Sequence, residues 1–273
     1  MKILDDALNV LNAAAATPKP PDLDVLASRA EAADDYRQIM NAMGSHVFGY
    51  YGQIQQEELE KYWSKRDDIV YAHGSMAYYG RVNVFNYYTG MTKAMKDQGR
   101  EIAREFYGQE YGPEYGPGYK VMNMLLSPYV EIAADRKTAR GVFMAYAYMT
   151  HLDRETGKPD TSLGLSRYSC EFIREDGQWK IWHRVDHMEC GLKYKGLGAM
   201  MPPLPAGDKA GPPMPMIQYV GQKTLRQMSD TGSPCEPSYP EPRIPEPYET
   251  WTEADSYIVV EHDGYTSLKQ QPR

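Results

Sequence analysis

The chain of 273 residues carries 30 Lys and Arg against 37 Asp and Glu, a net charge of -7, and a 42% hydrophobic content that is ordinary for a globular protein. No apolar run approaches the roughly 20 residues of a membrane-spanning helix, no Lys/Arg-dense segment is present to neutralise phosphates, and 3 cysteines never spaced as CxxC indicate neither a disulfide framework nor a structural zinc site. Membrane and nucleic-acid partners are therefore not expected. The start of the chain lacks a basic, continuously apolar leader, which leads to the expectation of a cytoplasmic protein.

In chain order, residues 1–29 read as an arm: a short apolar-periodic piece (Ile3, Leu4, Leu8, Leu11), an alanine run, then Pro18, Pro20 and Pro21. Over 30–51, Tyr36, Ile39, Met40, Met43, Val47 and Tyr50 recur at helical spacing and predict an amphipathic helix. Residues 55–63 predict a second helix, its acidic first turn matching the helix dipole. A short strand over 67–72, a turn and second strand over 74–80, and a helix over 82–96 follow. The stretch EFYGQEYGPEYGPGYK breaks any regular element with Gly and Pro, and predicts a tyrosine-rich loop serving as a lid or a subunit contact.

Alternation then predicts strands over 121–133, 138–152, 163–174 and 178–190, the last two joined at Asp176-Gly177, a pair suited to a tight hairpin. Helices first and long antiparallel strands after them indicate an α+β fold. Prolines crowd the stretch beyond Leu192, yet Met214, Ile217, Tyr219, Trp251 and Tyr257 remain, so 193–273 is expected to be an extended arm on the core or on a neighbouring subunit.

Four pieces in this order, EELEKYW followed by RDDIVYAHGSMAYYGRVNVFNYY, then SPYVEIAADRKTARGVF, then RYSCEFIREDGQWKIWHR, resemble a SnoaL-like member of the nuclear transport factor 2 superfamily over about 30–192. The resemblance implies a cone-shaped, strongly curved antiparallel sheet wrapped round the N-terminal helices, with a cavity for one small hydrophobic molecule. Family members include dehydratases, isomerases, other lyases and binding proteins without chemistry, so the fold alone leaves function open. Dehydratase and isomerase members carry an aspartate near the end of the first helix and a histidine on a strand; here Gln55 and Asn123 stand at those places.

The proton-transfer group must then come from elsewhere. His46, spaced i+3 and i-4 from Met43 and Tyr50, can face the cavity from the first helix and titrates near neutrality, as does His73 at the expected cavity mouth. His46 or His73 is the candidate general base, with Tyr50 and Tyr168 as hydrogen-bond donors to a leaving oxygen or oxyanion. Met43, Tyr78, Lys120, Asn123, Tyr146, Tyr148, Cys170 and His183 are candidate substrate contacts. On the last strand, His183 and His187 share parity with Trp179 and Ile181, while Trp182, Arg184 and Asp186 point the other way, and only one set can face inward. Neither a metal nor a cofactor is expected: no third ligand joins His183 and His187, and the glycines of the tyrosine-rich loop lack the context of a phosphate cradle. The expectation is a cofactor-independent lyase of an aromatic or polycyclic molecule, by elimination or carbon-carbon fragmentation, working as a homodimer or homotrimer. The alternatives are a dehydratase or isomerase, or a binding or assembly protein of the same fold.

Overall fold

A computed structural model describes residues 22–52, 54–73, 76–195, 222–224, 244–260 and 266–267. Most of the two expected arms, with Cys235 and His262, lies outside the described residues. Residues 1–37 and 38–273 form two compact units. In the first, the helix α1 (Leu23–Gly52) begins with Asp22 accepting from the Asp24 N–H at 3.0 Å, and Arg37 pairs with Asp34 at 2.6 Å. From Gln38 onward α1 belongs to the second unit, where Ile39, Met43, His46 and Tyr50 are buried at helical spacing.

The helix α2 (Gln55–Tyr62) buries Glu58 and Leu59. The hairpin β1 (Val70–His73) and β2 (Met76–Tyr79) leads through Gly80 into α3 (Arg81–Tyr107). At Gly80 φ is 82°, which favours glycine, and a Cβ there would stand 3.3 Å from the Asp67 carbonyl. The helix α3 runs well beyond the expected end at 96. Its buried stripe of Val84, Tyr87, Tyr88, Thr92 and Met95 continues through Gly99, Ile102 and Ala103, and Gly108 closes it in the left-handed conformation. Arg100 holds the following tyrosine-rich loop to α3 by donating to the Pro113 and Tyr115 carbonyls, each at 2.9 Å.

Four long strands complete the core: β3 (Lys120–Ile132), β4 (Thr138–Leu152), β5 (Pro159–Glu175) and β6 (Gln178–Lys195). With β1, β2 and β7 (Gln222–Thr224) they form one sheet in the order β3-β4-β5-β6-β1-β2-β7, and β8 (Val259–Val260) pairs separately with β9 (Thr266–Ser267). Asp176 and Gly177 both take positive φ in the β5–β6 hairpin, as their sequence predicts. The sheet is mixed rather than wholly antiparallel, because β1 runs parallel to β6, continuing a parallel bridge between Trp63 and Ile181. Register shifts at Leu126/Tyr129, Leu165/Ser166 and Glu171/Phe172 bend the long strands.

The core packs α1, α2 and α3 against the face that carries Phe143, Tyr168, Cys170, Phe172 and Ile181. Residues 244–258 lie on the opposite face. Their backbone is tied to Ala134 and Asp135, Arg140 donates to the Glu246 and Asp255 carbonyls, and Glu171 accepts from Ser256 Oγ and the Tyr257 N–H. Among the described residues no helix is long and apolar enough to cross a membrane.

Candidate active site

His46 has no solvent exposure, and both its ring nitrogens are engaged. Arg184 on β6 donates from Nη1 to Nε2. Guanidinium groups cannot accept, so Nε2 carries the lone pair and the proton sits on Nδ1, facing Glu58 Oε1 at 3.1 Å. Trp63 Nε1 donates to the same Glu58 oxygen at 3.0 Å, and Glu58 Oε2 is buried without a hydrogen-bond partner among the described residues. Burial, followed by Arg184, holds the His46 pKa below its ordinary value, while Glu58 pulls the other way. The resting dyad is a neutral imidazole backed by a carboxylate.

Arg184 continues the chain. Its Nε and Nη2 donate to the two Asp186 oxygens at 2.8 and 2.9 Å, Nη1 also reaches the Tyr88 hydroxyl at 3.3 Å, and the Tyr71 hydroxyl donates to Asp186 Oδ2 at 2.9 Å. The guanidinium lies 4.2 Å from the centre of the Tyr168 ring. Burial opposes the Arg184 charge, but Asp186 at its side keeps its pKa raised. Burial also lifts the hydroxyl pKa of Tyr50, Tyr71, Tyr88 and Tyr168, so these groups stay neutral donors. A buried string of four ionisable side chains contributes little to stability over an apolar core of the same size, and such strings concentrate where chemistry is done.

Of the candidates from sequence, Tyr50 and Tyr168 pack round the His46 ring, with centroids 4.7 and 6.3 Å away. Met43 is buried in the same core, Tyr78 stacks on Tyr87 at 4.2 Å, Asn123 is buried on β3, and Cys170 points inward with its thiol pKa pushed up by burial. His73 stands half-buried at the edge of the cluster, its Nδ1 3.8 Å from Asp186.

Four candidates lie elsewhere. Tyr146 and Tyr148 alternate with the buried Phe143 and Ala145 and so occupy the other face of β4. Lys120 is exposed, its ammonium 5.5 Å above the Tyr51 ring. His183 also faces away from the core, bonded to Glu171 and, at 3.1 Å, to the Asp68 carbonyl. The register shift at Glu171/Phe172 explains it: Phe172 pairs with Ile181 but Glu171 with His183, so Trp182 is the extra residue of a bulge. Trp179 and Ile181 therefore share the inner face with Arg184 and Asp186, and neither simple parity set survives.

The open interior expected from the fold also differs. Side chains of Tyr50, Tyr88, Tyr168 and Arg184 close round His46, and a cavity of about 600 Å³ lies between α2 and α3, with Gln55 in its wall. Among the described residues, no group of three or more His, Cys, Asp or Glu is arranged to hold a metal.

Residues 31–185 match the family model of a SnoaL-like domain. Among solved structures, the chain is similar to a nuclear transport factor 2-like protein of cystatin-like fold from Novosphingobium aromaticivorans, at 16% identity over 62% of this chain and 92% of that one, with a TM-score of 0.45. It is also similar to a hexachlorocyclohexane dehydrochlorinase of Novosphingobium barchaimii, at 18% identity over 67% and 100% of the two chains, with a TM-score of 0.42. A nuclear transport factor 2-like superfamily protein from Salmonella enterica matches at 13% identity over 61% and 97%, with a TM-score of 0.41. No curated protein matches the sequence.

Proposed function

The chain belongs to the SnoaL-like domain family, and within it we propose a cofactor-independent lyase that acts on an aromatic or polycyclic small molecule by elimination or carbon-carbon fragmentation. The observation that carries this reading is the Glu58–His46 dyad. The family's aspartate and histidine places hold Gln55 and Asn123, yet a carboxylate-backed imidazole is rebuilt from α1 and α2.

In this reading His46 Nε2 takes a proton from a substrate hydroxyl or acidic carbon, and Glu58 steadies the imidazolium that forms. The substrate atom occupies the place now held by Arg184 Nη1, which leaves the guanidinium beside the developing negative charge. Tyr50 and Tyr168 hydroxyls hydrogen-bond the leaving oxygen, and His73 is the second titratable group at the edge. In elimination the C–H electron pair becomes the new double bond as the C–O bond breaks, and in fragmentation the O–H pair becomes a carbonyl as the C–C bond breaks; the departing group keeps its electron pair and is protonated, so no external oxidant or reductant enters.

A screen of aromatic diols, sterols and polyketides by mass shift identifies the substrate. Turnover is expected to fall about 10²- to 10⁴-fold in Glu58→Gln and in His46→Ala, and unchanged turnover in both removes the reading. A non-catalytic binding protein of the same fold is favoured by one observation, the complete enclosure of His46; binding without product in the screen would establish it.

The same reading has the protein cytoplasmic, where a free, buried Cys170 stays reduced, and assembled as a homodimer or homotrimer with the 193–273 arm against the core or a neighbour. The outward row of β4 supports assembly: Tyr146 and Tyr148 stand in register with Met124 and Met122 on one side and Leu165 and Leu163 on the other.

A further inference from the structure

The bulge in β6 is held from outside the sheet. Trp182 and His183 are consecutive, yet their rings stack at 4.1 Å instead of pointing to opposite faces, as an extra residue in a strand requires. On one side of the bulge the Ser64 N–H donates to the Ile181 carbonyl at 2.8 Å, and on the other Val70 and Tyr71 pair with His183 and Arg184. The bulged residue itself has no place in the ladder, so side chains must hold it.

Two groups do so. The first is local: Asp68, engaged by Arg66 at 2.6 Å, accepts from Trp182 Nε1 at 2.9 Å, and its backbone carbonyl meets His183 Nε2 at 3.1 Å. The second is the distant segment 244–258. Trp251 sets its ring 4.7 Å from that of Trp182 and 6.5 Å from that of His183. Ser256 Oγ and the Tyr257 N–H donate to the two oxygens of Glu171 at 3.0 and 2.7 Å, and Glu171 Oε2 in turn bonds His183 Nδ1. Glu171, Trp182, His183 and Ser256 are all buried, so each polar contact is costly to leave unmade. The residue after His183 is Arg184, which donates to His46 Nε2 on the inner face. A bulge that relaxes by one residue turns Arg184 and Asp186 outwards and leaves His46 without this partner.

We propose that residues 244–258 are a positioning strap for the candidate active site: by clamping Trp182 and His183 from outside, they fix the bulge that turns Arg184 and Asp186 towards His46. Trp251 and Ser256 are its positioning residues. The coupling to His46 is argued from packing alone, whereas its effect on turnover rests on the lyase reading.

The test reads the His46 ring by nitrogen NMR in the full chain. With Arg184 in place His46 is the Nδ1–H tautomer. Trp251→Ala and Ser256→Ala are each expected to bring in the Nε2–H tautomer. Arg184 is among the causes that lower the His46 pKa, so its withdrawal is expected to move the titration upwards by about one pH unit. Trp251→Phe, which keeps a ring against Trp182, is expected to retain the natural spectrum. Thr250→Ala is the control, since the Thr250 hydroxyl bonds Asp135 at the β3–β4 turn, away from the bulge, and its loss is expected to leave His46 unmoved. Unchanged His46 signals in both Trp251→Ala and Ser256→Ala, or an equal change in Thr250→Ala, overturns the proposal. Ser256→Ala decides if Trp251→Ala does not fold. A shifted His46 with undiminished turnover of a substrate would sink the assignment of His46 as base and leave the strap in place.

Discussion

Replacing Arg184 with methionine tests whether the buried string is as tightly coupled as its geometry indicates. Arg184 is 1% exposed, and the change removes two hydrogen bonds to Asp186, one to His46 and one to Tyr88. Asp186 keeps only the Tyr71 hydroxyl among these partners and becomes a buried carboxylate without a countercharge. Breaking such a pair from one side costs about 3–5 kcal/mol, a third or more of the stability of a typical domain. Urea unfolding of the full chain at pH 7, followed by tryptophan fluorescence, measures the loss. Arg184→Met combined with Asp186→Leu removes both charges, and is expected to recover most of the deficit, a coupling above about 2 kcal/mol. A loss below about 1 kcal/mol in the single variant, or additivity in the double, would refute the reasoning.

Acid should weaken the fold through its buried histidines. Burial is the first cause lowering the pKa of both His46 and His187, and His187 is pushed from 6.5 down to about 3. Each is neutral when folded and takes up a proton on unfolding, so its stabilisation is complete above pH 6.5 and is lost as the pH falls towards the folded value. At pH 5 the His187 share is about 2 kcal/mol; urea midpoints at pH 7.5 and 5 should differ by less in His187→Gln than in the natural chain, and equal differences contradict this. At Gly99 an added Cβ would stand 2.5 Å from the Pro117 carbonyl, so Gly99→Ala, although it raises helix propensity by about 1 kcal/mol, is expected to lower the melting temperature and to speed amide exchange across 109–119. Slower exchange there would show that the loop does not rest on α3. On the proposed assembly, a charge in the outward row, as in Tyr146→Arg, is expected to give a monomer in light scattering where the natural chain gives a dimer or trimer, and an unchanged mass would refute a contact through this row.

Much of the fold is legible in local pattern. The strand β4 and the start of β6 fall where alternation puts them, and Asp176-Gly177 marks its hairpin without help from tertiary structure. The helix α3 outruns its expected end at 96 because its buried stripe continues through Gly99, Ile102 and Ala103, with Gly99 at the close approach of the Pro117 carbonyl. The site is less legible. His46, Tyr50 and Tyr168 follow from helical spacing and from the resemblance, but Glu58 reads as an ordinary first-turn acid, and only the packing of α2 on α1 turns it towards the imidazole. Arg184 and Asp186 share a strand face by simple i, i+2 spacing. Which face that is depends on the bulge at Trp182, and a bulge has no signature in a run such as WKIWHRVD.

The parallel pairing of β1 with β6 has a consequence for how the chain is made. Val70 leaves the ribosome early, but its partner His183 follows only after more than a hundred further residues. At ordinary rates of synthesis, about 5–20 residues per second, the β1–β2 hairpin waits roughly ten seconds for β6, and longer for β7, with both edges bare. During that interval the nascent chain presents an unsatisfied strand to its neighbours, which makes this hairpin the expected landing point for chaperones and the first place where crowded translation would cause aggregation.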